Sequence, residues 1–98
     1  MYVMAEYRTH MKIIGDILAT TRDDLQDDDG ATVTYLIRKA NISHVRISRI
    51  LKNLVSQGLL EQNTSEGACK YRISTSGREF LQAYQTFSRF AENFGLAI

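Results

Sequence analysis

The sequence predicts a mainly α domain with one small β-hairpin: a helix-turn-helix, then the hairpin, then a longer terminal helix. Three observations predict it. Two short apolar-periodic segments between Thr32 and Gly58 are separated only by Asn41-Ile42-Ser43. The period then changes to alternation between Leu59 and Ile73, around a cluster of turn-forming residues. From Ser76 onward the helical period returns, with aromatic residues at nearly every turn.

Before these segments, the spacing predicts a first helix from Tyr7 to about Thr21. Met11, Ile14, Ile17, Leu18 and Thr21 form its inward stripe, while Arg8, Lys12 and Asp16 point outward. Lys12 and Asp16 are an i, i+4 pair worth roughly a few tenths of a kcal/mol. The next run, Arg22 to Gly30 (RDDLQDDDG), is too charged to bury and reads as an exposed loop. It is not a calcium loop. Aligned on Gly30, Leu25 falls on a ligand position, and Leu36 stands where the bidentate glutamate is needed.

The second helix carries Val33, Leu36, Ile37 and Ala40 on one face. Asn41 tolerates a left-handed turn, and Ser43 is a suitable N-cap for the third helix, residues 43–57. That helix turns Ile47, Ile50, Leu51 and Leu54 inward and stops at Gly58, a residue type favoured just past a helix end. Two helices joined this closely form a helix-turn-helix.

The opposite face of the third helix carries Val45, Arg49, Lys52 and Ser56, flanked by Arg46 and Asn53. Arginine and lysine contact guanine edges or phosphates, asparagine pairs with adenine, and a small apolar group touches the thymine methyl. No acidic residue occurs from Ala31 to Leu60. The formal net charge of +1 therefore hides an asymmetry. Arg38 to Arg78 holds eight basic and two acidic residues, a local +6, whereas Asp23 to Asp29 holds five aspartates and no base, a local −5. A cationic surface of this kind calls for a polyanionic partner. The candidate contacts to double-stranded DNA are Ser43, His44, Val45, Arg46, Arg49, Lys52 and Asn53, with Arg38 and Lys39 before them.

In the hairpin, Leu59 to Gln62 reads as a strand, Asn63 to Gly67 as the turn, and Cys69 to Ile73 as the return strand. Cys69, Tyr71 and Ile73 face inward; Lys70 and Arg72 face outward and complete the phosphate-contacting set. Cys69 reads as a small buried apolar residue. A hairpin directly after such a helix occupies the place of a wing. The fold class is thus a winged helix-turn-helix, residues 7–74, followed by a C-terminal dimerisation helix, residues 75–98, in one domain.

Ser76-Gly77-Arg78-Glu79 fits a capping box at the start of the last helix. Phe80, Tyr84, Phe87, Ala91 and Phe94 follow at heptad spacing, with Leu81 and Phe90 on the edges. A domain this small can use Phe80 and Leu81 for its own core but has no obvious intramolecular home for Phe87, Phe90 and Phe94 as well, and burying each Phe is worth roughly 1.5–3 kcal/mol. The expectation is a homodimer seam formed by Phe80, Tyr84, Phe87, Phe90, Ala91 and Phe94. The alternative is a helix folded back on the first.

Other chemistry finds no footing. His10 and His44 lack ligand-spaced companions, and no catalytic set, metal cluster or phosphate-binding Gly-rich loop can be assembled. No cofactor or small-molecule effector is expected. One cysteine and no proline give no disulfide framework, the start MYVMAEYRTHMK is too charged for a signal peptide, and no apolar run reaches the ~20 residues of a membrane span. A cytoplasmic, nucleoid-associated protein is expected.

The run Arg38 to Ser43, then Ile47, Leu51, Leu54 and Gly58-Leu59-Leu60, then Tyr71 to Leu81 resembles small archaeal winged-helix proteins. These include transcriptional regulators of the ArnR-like type and chromatin-associated proteins that dimerise through a long C-terminal helix. The resemblance runs from about Arg8 to Phe94. It implies a winged-helix fold, homodimerisation through the last helix, and double-stranded DNA binding by the third helix and wing. The chain departs from the group in its aspartate-rich insertion and in His44, where a tyrosine is common. Two other roles fit the same fold: a protein-interaction module, and a low-specificity chromatin protein, which would call for a more basic chain.

Overall fold

The computed structural model describes residues 9–23, 30–65 and 67–96. Tyr7 and Arg8 of the expected first helix, residues 24–29 of the acidic run, and Glu66 lie outside the described residues.

Helix α1 (His10–Asp23) buries Ile13, Ile14, Ile17, Leu18 and Thr21. Ile13, which the stripe omitted, is 2 % exposed, while Met11 is only half-buried. The buried arc is wider than one stripe because α1 packs against the second helix, the third strand and the last helix at once. Thr21 donates its hydroxyl to the Leu18 carbonyl at 2.8 Å, satisfying the one polar side chain in the core.

Strand β1 (Ala31–Thr32) is only two residues long and leads directly into α2 (Val33–Ala40). The Thr32 side chain caps α2 by accepting from the Tyr35 N–H at 3.2 Å. Asn41 then adopts φ 56°, ψ 53°, the left-handed turn expected of it. Ser43 caps α3 (His44–Ser56) by accepting from the Arg46 N–H at 3.2 Å. Helix α3 buries Ile47, Ile50, Leu51 and Leu54, the four residues of its apolar period. It closes with Gly58 at φ +81°, Leu59 N–H on the Leu54 carbonyl and Gly58 N–H on the Val55 carbonyl, the bond pair of a Schellman motif.

Strands β2 (Leu60–Ser65) and β3 (Ala68–Ile73) pair antiparallel from Leu60↔Ile73 to Ser65↔Ala68. Asn63 and Thr64, expected in the turn, therefore belong to the strand: the ladder set by the inward Leu60–Ile73 pair continues through them. On the other edge of β3, Ala31 pairs with Tyr71 and Thr32 with Lys70, so the hairpin becomes a three-stranded sheet of order β1-β3-β2. β1 has too few residues to show an alternating pattern.

Helix α4 (Thr75–Glu92) begins where expected, but its cap is Ser74 rather than Ser76. The Ser74 hydroxyl accepts from the Gly77 N–H at 2.9 Å and donates to the Gly58 carbonyl at 2.6 Å. The Ser74 N–H also bonds the Leu59 carbonyl at 3.1 Å. Gly77 lies flat against this junction: a Cβ there would overlap the Leu59 carbonyl oxygen and reach within 2.8 Å of the Ile73 side chain. Since Leu59 is held by Ser74, the carbonyl has no freedom to retreat. Gly77→Ala is expected to cost about 1–3 kcal/mol, read as a lower urea midpoint with unchanged slope.

Candidate nucleic-acid interface

Helix α3 is held by its buried stripe so that its other side is open. His44, Val45, Arg46, Ser48, Arg49, Lys52, Asn53 and Ser56 are all exposed. The left-handed Asn41 sets the direction in which α3 leaves α2, and the Ser43 cap fixes its first turn. Among the described residues, no carboxylate pairs with Arg38, Arg46, Arg49 or Lys52. Two ion pairs between described residues lie on α1: Lys12–Asp16 at 3.9 Å and Arg22–Asp23 at 2.8 Å. Arg22 hydrogen-bonds the Asp23 carboxylate and holds it below the usual range, so the acidic run begins with a partly neutralised residue.

The other candidate cations are distributed differently. Arg38 is exposed at the end of α2, next to the turn into α3. Lys39 instead sits over the Tyr35 ring, 5.7 Å from its centroid, in a groove between α1 and α2 that Asp16 and Asp23 also line. Lys70 and Arg72 project from the outer face of the sheet, opposite the face on which Leu60 and Ile73 join the core. Register places Glu61 across from Arg72 and Asn63 across from Lys70, so an acidic residue interrupts the wing's positive charge. Lys70 is half-buried and Arg72 exposed.

Cys69 is not the fully buried apolar residue expected, because it lies one pair from the hairpin turn, past the residues of β3 that pack on the core. It is half-buried, and the Gln62 side-chain amide donates to its sulfur at 2.8 Å. Burial first, and then a hydrogen bond with Cys69, push the Tyr71 hydroxyl up to about 12, which keeps it protonated at neutral pH.

The expected seam on α4 is divided. Leu81 joins the core at 1 % exposed and Phe80 packs half-buried against it, the use the domain has for both; Tyr84, expected in the seam, packs half-buried there too. Gly15 of α1 makes room for Tyr84, since a Cβ at Gly15 would lie 2.5 Å from the ring. The first half of α4 thus does fold back on α1. Ala91 is buried, but Phe87, Phe90 and Phe94 are 58 %, 58 % and 67 % exposed. Phe90 and Phe94 meet edge to face with centroids 5.2 Å apart, and Phe87 and Phe90 border an open groove with Ala83 and Thr86.

A helix-turn-helix whose second helix runs into a β-hairpin, closed by a sheet strand from before the helices, is now complete. A family profile described as winged helix-turn-helix matches residues 7–92. The chain belongs to this family. Among solved structures it is similar to Sso10a-2, a DNA-binding protein from Sulfolobus solfataricus, with TM-score 0.75 and 26% identity over 89% of this chain and 85% of that one. No curated protein matches it significantly. The fold is therefore that of the small archaeal winged-helix proteins it resembles.

In this winged helix-turn-helix, α3 is the second helix of the pair and β2–β3 form the wing. No helix among the described residues is long and apolar enough to cross a membrane, and no three metal-ligating side chains come together there. Sequence reasoning missed Ser48, which shares the open side of α3, although its helical position follows from the same period. It also missed Ser74, Gly77 and Gly15, which act through contacts distant in sequence. Asn41 is the positioning residue that a local signal did reveal. Asn41→Gly should leave stability within about 0.5 kcal/mol, whereas Asn41→Ala should lose about 1 kcal/mol, measured by urea unfolding.

Proposed function

We propose that this protein is a homodimeric, sequence-selective DNA-binding regulator of transcription that places α3 in the major groove. The observation that carries the reading is the open side of α3: cations and an asparagine around an exposed valine, with no carboxylate paired to them among the described residues. The DNA-binding activity of the similar Sulfolobus protein supports it. Val45, Arg46, Arg49 and Asn53 meet base edges. Arg38, Lys39, Ser43, His44, Lys52, Lys70 and Arg72 fix the register on phosphates and carry no sequence information themselves.

The dimer is proposed from Phe87, Phe90 and Phe94. Three neighbouring phenylalanines left in water forfeit roughly 1.5–3 kcal/mol each, and a second copy supplies an identical apolar stripe on a two-fold axis. The pairing would present two α3 helices to half-sites about one helical turn apart, or a multiple of it.

Arg46→Ala and Arg49→Ala should each weaken binding to the preferred duplex by about 1–3 kcal/mol. Equal loss on random duplex would assign them to phosphates. Affinity should fall with salt at about −0.9 per phosphate contact on a log–log plot; a salt-insensitive protein partner with no DNA retention would replace this reading with an interaction module. Phe87→Asp combined with Phe94→Asp should give monomers by light scattering, and an unchanged mass would reject the seam.

A further inference from the structure

Val45 stands out on the reading side of α3. It is 69 % exposed, and among the described residues the other large exposed apolar side chains lie near the end of α4, at Phe87, Phe90, Phe94 and Leu96. It occupies the second position of α3 and points away from Ile47, Ile50, Leu51 and Leu54. Helical spacing of about 100° per residue puts Arg49 and Lys52 on either side of it, and Arg38, Arg46 and Arg49 pair with no described carboxylate. An uncharged, β-branched side chain in the middle of a cationic surface adds nothing to phosphate attraction and slightly disfavours the helix. Its chemistry suits an apolar group presented in the major groove, and the base substituent of that kind is the C5-methyl of a pyrimidine.

We propose that Val45 is a specificity-determining residue that reads the C5-methyl group of a thymine or 5-methylcytosine, with Arg49 reading a guanine close by. The inference rests on α3 being the base-contacting helix. Val45 and Arg49 are four residues apart, about 6 Å along the helix axis, or roughly two base-pair steps of about 3.4 Å. The recognised element is therefore a C5-methylated pyrimidine within about two steps of a guanine. Thymine supplies the methyl in unmodified DNA and 5-methylcytosine in methylated DNA.

The test uses full-length protein and a pool of random-sequence duplexes. The most enriched duplex is resynthesised with each thymine in turn replaced by deoxyuridine, which differs only in lacking the methyl. The wild type should lose about fourfold in affinity at one position, the equivalent of one apolar carbon group of about 0.8 kcal/mol. Val45→Ala should bind the thymine and deoxyuridine duplexes alike. An exposed valine leaves the core untouched when truncated, and an unchanged thermal melt confirms that the variant is folded. At the same position, cytosine and 5-methylcytosine opposite guanine are compared. A gain of about fourfold for the methylated base adds it as a ligand, and equal binding confines recognition to thymine. A selected duplex indifferent to every deoxyuridine, or a Val45→Ala variant as methyl-sensitive as the wild type, overturns the role of Val45 while leaving DNA reading intact. Failure to enrich any sequence overturns base reading itself, and the methyl inference with it.

Discussion

One serine, through its hydroxyl and its backbone N–H, holds together the three elements on which the architecture turns. Ser74 Oγ accepts from the first turn of α4 and donates to the carbonyl of Gly58, just past the end of α3, while its N–H holds the Leu59 carbonyl at the start of β2. Gly77 allows this closeness, because a side chain at that position would collide with the backbone it rests on. The direction of α4 is therefore set by the end of α3 rather than by a flexible linker. In the proposed dimer a rigid angle between those two helices would fix the spacing of the two α3 surfaces, since each would be tied to the element that pairs.

The distribution of charge follows a similar economy of placement. A chain of nearly balanced composition keeps its carboxylates off α2 and α3. Two salt bridges between described residues lie on α1. Among the described residues no carboxylate pairs with Arg46, Arg49 or Lys52, whereas Lys39 lies over Tyr35 beside Asp16 and Asp23. The wing is more ambivalent, with Glu61 in register with Arg72. Helix α3 is thus the dominant cationic element, and the hairpin a secondary one.

Most of the helix-turn-helix was legible in the sequence because its determinants are local. The apolar period of α3 named all four of its buried residues, and Asn41, Ser43 and Gly58 adopt the conformations their chemistry favours. What was hidden depends on partners distant in the chain. β1 exists only because Ala31 and Thr32 meet Tyr71 and Lys70. Ser74 displaces Ser76 as the cap because it alone also reaches Gly58. Tyr84 looked like a seam residue and packs half-buried on the core, since α4 rolls that side onto α1 around the space left by Gly15. The positions of the α3 side chains could be read from periodicity, but the placement of Lys39, Lys70 and Arg72 could not.

The contact between Gly15 and Tyr84 has a further consequence. It marks a boundary within α4: up to Tyr84 the helix belongs to the body, and beyond it the aromatic side chains project clear of it. If these turns pair two copies as proposed, changes at Phe87, Phe90 and Phe94 would alter which chain is chosen while Ala91, on the buried side of the same turns, keeps its place.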